Sequence, residues 1–150
     1  MGAPDNRSED TAEDPCEDIS RNVVEGGVEY DGDLVVLYRP TGPREHALLQ
    51  ANGFTRWPPR LLEQPIFYPV TNARYAREIA IRWNIQDSGV GYVTRFRVPM
   101  AFMERYPVQK VGGSHHTEWW VPAEELEALN DAIIGRIEVI GEYRGTDGEA

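Results

Sequence analysis

Glu118 is the residue whose setting most invites chemistry. It lies within Thr117-Glu118-Trp119-Trp120-Val121, a run of bulky strand formers that follows Gly112-Gly113. A carboxylate is rarely comfortable there unless it faces water from an edge strand or is held for use. Strand alternation puts Glu118 and Trp120 on one face with His116, and Thr117 and Trp119 on the other. Arg39 is the second candidate, because it ends the apolar run Leu34-Val35-Val36-Leu37-Tyr38 immediately before Pro40. A guanidinium at a strand end can grip phosphate or ribose oxygens, or pair with a nearby acid. The three histidines raise a metal reading. However, His115 and His116 would point opposite ways on an extended chain, and His46 is distant in sequence, so His116 reads better as a partner of Glu118. Tyr38, Tyr68, Tyr75 and Trp120 could stack a planar ring or simply fill a core. The serine-hydrolase elbow, the phosphate-binding P-loop, the HExxH zinc motif and the dinucleotide-binding glycine fingerprint are all missing. Cys16 is the sole cysteine, which leaves no thiol nucleophile and no cysteine-based zinc site in the domain.

Elements to carry these residues can be read from periodicity and punctuation. Leu34–Tyr38 is a strand buried on both faces. Thr41 or Gly42 caps a helix that begins at Pro43 and ends before Gly53, with Ala47, Leu48 and Ala51 as its apolar face. After the proline-rich stretch around Trp57-Pro58-Pro59 comes a short strand, Ile66-Phe67-Tyr68. Thr71 or Asn72 then caps a longer helix whose buried stripe is Ala76, Ile79, Ala80 and Trp83. Tyr92–Val98 alternates with Arg95 and Arg97 on one side, the pattern of a half-exposed antiparallel strand. One helical turn over 101–106 and short strands at Val108–Val111 and Thr117–Val121 follow. A helix opening at Pro122, with Leu126, Leu129 and Ile133 inward, leads to a last strand at Ile137–Ile140. The order implies one α+β domain over residues 21–145, with a small mixed, mainly antiparallel split β-sheet and three short helices.

Charge divides the chain in two. The formal net charge is −10, yet residues 1–33 hold eleven acids against Arg7 and Arg21, and the other 117 residues hold fourteen acids and thirteen bases. Residues 1–20 therefore read as a disordered acidic leader. The near-neutral body lacks the broad basic surface that duplex nucleic acid requires. The N-terminal segment has no secretory pattern, and no apolar run reaches the ~20 residues of a membrane span. With a single cysteine, the chain suits a reducing, cytoplasmic setting.

Three segments, in this order, resemble the motifs of the ADP-ribosyltransferase fold family. Leu37-Tyr38-Arg39 resembles its first-strand arginine motif. Phe67-Tyr68-Pro69-Val70-Thr71-Asn72, with the helix through Ala76, resembles its second motif, although the serine-threonine-serine spelling is replaced and Pro69 interrupts it. His116-Thr117-Glu118 resembles the third, with histidine where many members carry Glu or Gln. The resemblance implies a split-sheet fold and NAD as substrate. It implies that Arg39 holds the NAD phosphates and ribose, that Tyr68 or Tyr75 packs on the nicotinamide, and that Thr71 supports the site. Glu118 would bind the nicotinamide ribose, and His116 would orient or deprotonate the nucleophile of a macromolecular acceptor that the sequence leaves unidentified. Two other readings stand beside it: a non-catalytic interaction module such as an antitoxin, immunity protein or regulatory partner, and a metal-assisted hydrolase built on the histidines. The transferase needs Arg39, Tyr68 and Glu118 on one cleft, the module leaves them scattered, and the hydrolase brings His46 beside His115 or His116.

Overall fold

The computed structural model describes residues 27–145. The expected leader over 1–20, the start of the domain at residue 21 and Cys16 lie outside the described residues. The protein is a small mixed α+β fold in which every strand pair is antiparallel among the described residues.

The main sheet has the order β1-β2-β4-β8, from Glu29–Asp31, Leu34–Thr41, Val90–Pro99 and Ile134–Arg144. The β1–β2 hairpin was not anticipated, since its first strand offers only Glu29-Tyr30-Asp31. Its turn is closed by Gly32 at φ +65, a left-handed conformation that glycine adopts without strain. As expected, β2 is buried on both faces, and Arg95 and Arg97 of β4 face outward to pair with Glu138 and Asp31.

Two smaller pairs complete the strands: β3 (Ile66–Phe67) with β7 (Val121–Pro122), and β5 (Val108–Lys110) with β6 (Thr117–Trp119). Val70 joins them to the main sheet, because it bridges Tyr38 of β2 on one side and Glu118 of β6 on the other. The pairing of Phe67 with Val121 and that of Val70 with Glu118 belong to one uninterrupted register. The Trp119 N–H bond to the Pro69 carbonyl and the Thr71 N–H bond to the Thr117 carbonyl fill the ladder between and beyond them.

Helix α1 (Pro43–Ala51) starts at Gly42 and ends before Gly53 at φ +74, as its punctuation implies. Its inward face differs from the expected one. Leu49 is buried, whereas Ala47, Leu48 and Ala51 are exposed. The rotation follows from two contacts that hydropathy does not weigh: Glu45 pairs with Arg39, and His46 stacks on Tyr92 at 3.7 Å. Asn72 caps α2 (Ala73–Ile79) by accepting the Tyr75 N–H. The helix continues through a π-type segment, Ala80–Asn84, into α3 (Ile85–Ser88). The wider π turn shifts the helical phase, which is why Trp83 is 61% exposed although the 3.6-residue period places it in the buried stripe. Gly91 of β4 makes room for that segment, since a Cβ there would stand 2.6 Å from the Ala80 carbonyl oxygen.

The remaining helices are α4 (Met100–Met103) and α5 (Leu126–Ala132), the latter preceded by a 3₁₀ turn at Ala123–Glu125. Leu126 and Leu129 are buried as expected, and Ile133 is only half-buried. The last strand is longer than the expected Ile137–Ile140 and already includes Gly135. The sheet therefore has two cores. Leu37, Trp57, Phe67, Phe96, Trp119, Val121 and Leu129 pack on one face; Val36, Tyr38, Val70, Ala76, Ala80 and Val93 pack on the other, under α2.

Candidate functional site

The continuous register decides which side chains share a face. Residues paired across an antiparallel ladder project to the same side. Tyr38, Val70 and Glu118 therefore line one face, with Tyr68 opposite Trp120 in the next row. Gln109 of β5 pairs with Glu118 from the far side. Arg39, one residue from Tyr38, falls on the reverse face with Phe67 and Trp119.

On the first face, Glu118 is half-buried and both its oxygens are occupied. The Tyr75 hydroxyl donates to Oε1 at 3.1 Å, and the Trp120 indole N–H donates to Oε2 at 2.7 Å. Burial and the adjacent Glu118 carboxylate push the Tyr75 phenol up to about 12, so it stays protonated and donates at neutral pH. Tyr68 and Trp120 stand 42% and 44% exposed, an aromatic rim beside the carboxylate.

Beyond Tyr75 lies a second polar group. The chain from Gly113 to His116 is a turn, closed by the His116 N–H bond to the Gly113 carbonyl. The two adjacent histidines therefore do not diverge as they would on an extended chain, and their ring centroids are 4.2 Å apart. Both reach Glu78 of α2: His115 Nε2 at 2.8 Å from Oε2 and His116 Nε2 at 3.0 Å from Oε1. Partial burial pulls the Glu78 carboxyl upward. The hydrogen bonds and charge of the two histidines outweigh it and hold the group below the usual carboxylate range. His116 Nδ1 accepts the Gly113 N–H at 2.8 Å, which fixes the neutral ring as the Nε2–H tautomer. His116 thus touches Tyr75, ring to ring at 4.8 Å, and reaches Glu118 only through it.

Arg39 has a different environment. Its Nε and Nη2 form a two-pronged pair with Glu45 at 2.8 and 2.9 Å, and its guanidinium lies 4.5 Å from the Phe67 ring centroid. The residue is only 9% exposed. Of the two roles open to a strand-end arginine, the structure displays the ion pair. Thr71 is fully buried on the same side, its hydroxyl 2.6 Å from that of Thr117. The structure thus brings together Glu118, Tyr75 and His116, with Tyr68 on the rim, and sets Arg39 and Thr71 behind the ladder, so the single cleft expected of Arg39, Tyr68 and Glu118 is not formed.

Sequence reasoning missed Glu78 and the indole N–H of Trp120. Glu78 gave no signal, because its partners come from a turn 37 and 38 residues away. Trp120 was legible as the same-face neighbour of Glu118. His46, on the Arg39 side, takes no part in the histidine cluster. A hollow of about 160 Å³ between Tyr30, Met100, Met103, Tyr106 and Trp119 lies behind the ladder and is smaller than the roughly 300–1,000 Å³ of ordinary ligand pockets. Comparisons with protein-family models, with curated proteins and with solved structures find no match to this chain. Among the described residues, no helix is long and apolar enough to cross a membrane.

Proposed function

We propose that this chain is an NAD-dependent ADP-ribosyltransferase with Glu118 as its central carboxylate and with a site that does without Arg39, which stands on the reverse face from Glu118 and Tyr68. The supporting observation is the way Glu118 is held: both oxygens are fixed by Tyr75 and Trp120 on a face rimmed by Tyr68 and open to solvent. In the proposed reaction the bond between nicotinamide nitrogen and ribose C1′ breaks, and its electron pair leaves with nicotinamide. Positive charge develops on the sugar, as in glycoside hydrolysis, until an acceptor nucleophile forms the new C1′ bond and releases its proton. A carboxylate already fixed beside that charge lowers the barrier by about 3–4 kcal/mol, since it needs no reorganisation in the transition state. Tyr68 and Tyr75 supply aromatic surface for the nicotinamide ring. Arg39 enters as a support of β2, because phosphate oxygens would have to displace Glu45 and approach from the reverse face. The acceptor is a macromolecule in a cytoplasmic setting.

A second reading, a non-catalytic interaction module, draws on the separation of Arg39 from Glu118 and Tyr68, which is the arrangement that reading expects, and on the exposed Tyr68 and Trp120 as interface aromatics. Incubation with NAD separates the two. The transferase releases nicotinamide, and Glu118→Gln lowers that rate by roughly a hundredfold or more while shifting the melting temperature by at most a few degrees. No release from the unaltered chain, with no heat of NAD binding, sinks the transferase and leaves the module.

A further inference from the structure

We propose that Glu78, His115 and His116 form a binding site for a divalent transition-metal ion of the zinc class. The ligand set is one carboxylate and two imidazoles, the nitrogen and oxygen donors zinc takes in sites that keep a position open for water. The three ligating atoms all lie within 4.8 Å of one another. Zinc bonds of roughly 2.0–2.1 Å in a tetrahedron place neighbouring ligand atoms about 3.3 Å apart. The present separations of 2.8 and 3.0 Å between Glu78 and the two rings would open by a few tenths of an ångström, and the wider spacings within the 4.8 Å cluster would close toward the same value as the imidazoles turn to the ion. Each of those contacts is an N–H donated to a carboxylate, and a cation takes the place of such protons.

Access and support are both present. His115 is the buried wall, with its side chain 11% exposed, while Glu78 and His116 are about one-third exposed and open the site to water. The Asn72 amide holds the His115 carbonyl, and Tyr75 packs on the His116 ring. Arg74 stands 3.5 Å from Glu78, and this exposed guanidinium would swing away from the carboxylate as the ion takes its place.

One feature sets the form the bound state must take. With a metal on Nε2, His116 carries its proton on Nδ1, where the Gly113 N–H now donates. Rotating the Gly112–Gly113 peptide turns the Gly112 carbonyl toward Nδ1 in place of that N–H, giving the outer hydrogen bond usual for a metal-bound histidine. Two successive glycines permit that rotation. Gly112 is also required sterically, since a Cβ there would stand 2.5 Å from His116 Nδ1. The ion would tie α2 to the turn that leads into β6. This inference is independent of the transferase reading.

The test uses the full chain with Cys16→Ser, so that no thiol competes, in equilibrium dialysis against zinc and in cobalt titrations followed by visible absorbance. One zinc per chain is expected, with cobalt bands of a four- or five-coordinate site. Glu78→Gln, His115→Ala and His116→Ala should each weaken zinc binding by tenfold or more, and Gly112→Ala, whose Cβ would crowd the His116 ring, should weaken it by roughly 10–100-fold. Circular dichroism without metal checks that each variant folds. Should any fail to fold, the ring ¹⁵N shifts of His115 and His116 during zinc titration of the parent chain answer the same question. No stoichiometric binding at micromolar zinc, binding that survives both Glu78→Gln and His115→Ala, or ring shifts that zinc leaves in place overturns the proposal.

Discussion

The two faces of the ladder formed by β2, the segment through Val70, and β6 hold the two most conspicuous charged residues of the chain in opposite ways. On one face Arg39 is closed in: paired with Glu45, stacked over Phe67 and shut from solvent. On the other, Glu118 is held by two neutral donors, Tyr75 and Trp120, and remains half-open. A charge neutralised by a full ion pair in an apolar layer serves the fold, because removing one partner strands the other. A charge fixed by neutral hydrogen bonds keeps its sign and its outward reach, which is what a reacting centre needs. The difference is one residue of strand phase.

This contrast can be broken in graded ways. Arg39→Met should cost stability most, about 2–4 kcal/mol in urea unfolding, because it leaves Glu45 unpaired beside the Phe67 layer. Glu118→Gln should cost under about 1 kcal/mol in the same measurement, since an amide still accepts from Tyr75 or Trp120. Equal costs would dissolve the distinction between the faces. Next, Gly91→Ala should destabilise by roughly 1–3 kcal/mol, because its Cβ must push the Ala80 carbonyl off β4. A neutral outcome would show that the π segment shifts freely against β4.

Tyr75→Phe sharpens the comparison on the Glu118 side alone. It removes one donor from the carboxylate and should change stability by only about 0.5–1.5 kcal/mol. The rate of nicotinamide release, if the transferase proposal holds, should fall about tenfold. The smallest effect concerns acid. The folded Glu78 carboxyl lies below its ordinary value of 4.5. Its contribution to stability is therefore complete above that value and is lost as pH falls through the lower, folded one. Parent and Glu78→Gln stability curves should run apart at neutral pH and converge below about pH 4.5. Curves that stay parallel would mean that the histidine clasp contributes nothing to the fold.

Much of this architecture was legible in the residues. Leu34–Tyr38 announces a doubly buried strand by its unbroken apolar run, and Pro43, Gly53 and Asn72 mark helix ends because each is suited to one terminal backbone geometry. The outward arginines of β4 and the alternation of Thr117–Trp120 follow from the two-residue period of a strand. Reading failed where a long-range partner overrode the local pattern. The face of α1 is set by Arg39 and Tyr92, the exposure of Trp83 by a π turn, and the convergence of His115 and His116 by a turn that brings them onto α2.

The sequence by itself determined most of the longer strands and helices, the starts of the first two helices, and that Glu118 would share a face with Trp120 but not with Trp119. These are consequences of local backbone geometry and hydrophobic period, which act over a few residues. Only the tertiary structure decided that Arg39 and Glu118 stand on opposite faces, that Tyr75 holds Glu118, and that Glu78 gathers both histidines. Each of these depends on the register in which distant segments pair. A shift of one residue in that register exchanges the two faces of the sheet, and the partner strand that sets it lies tens of residues away.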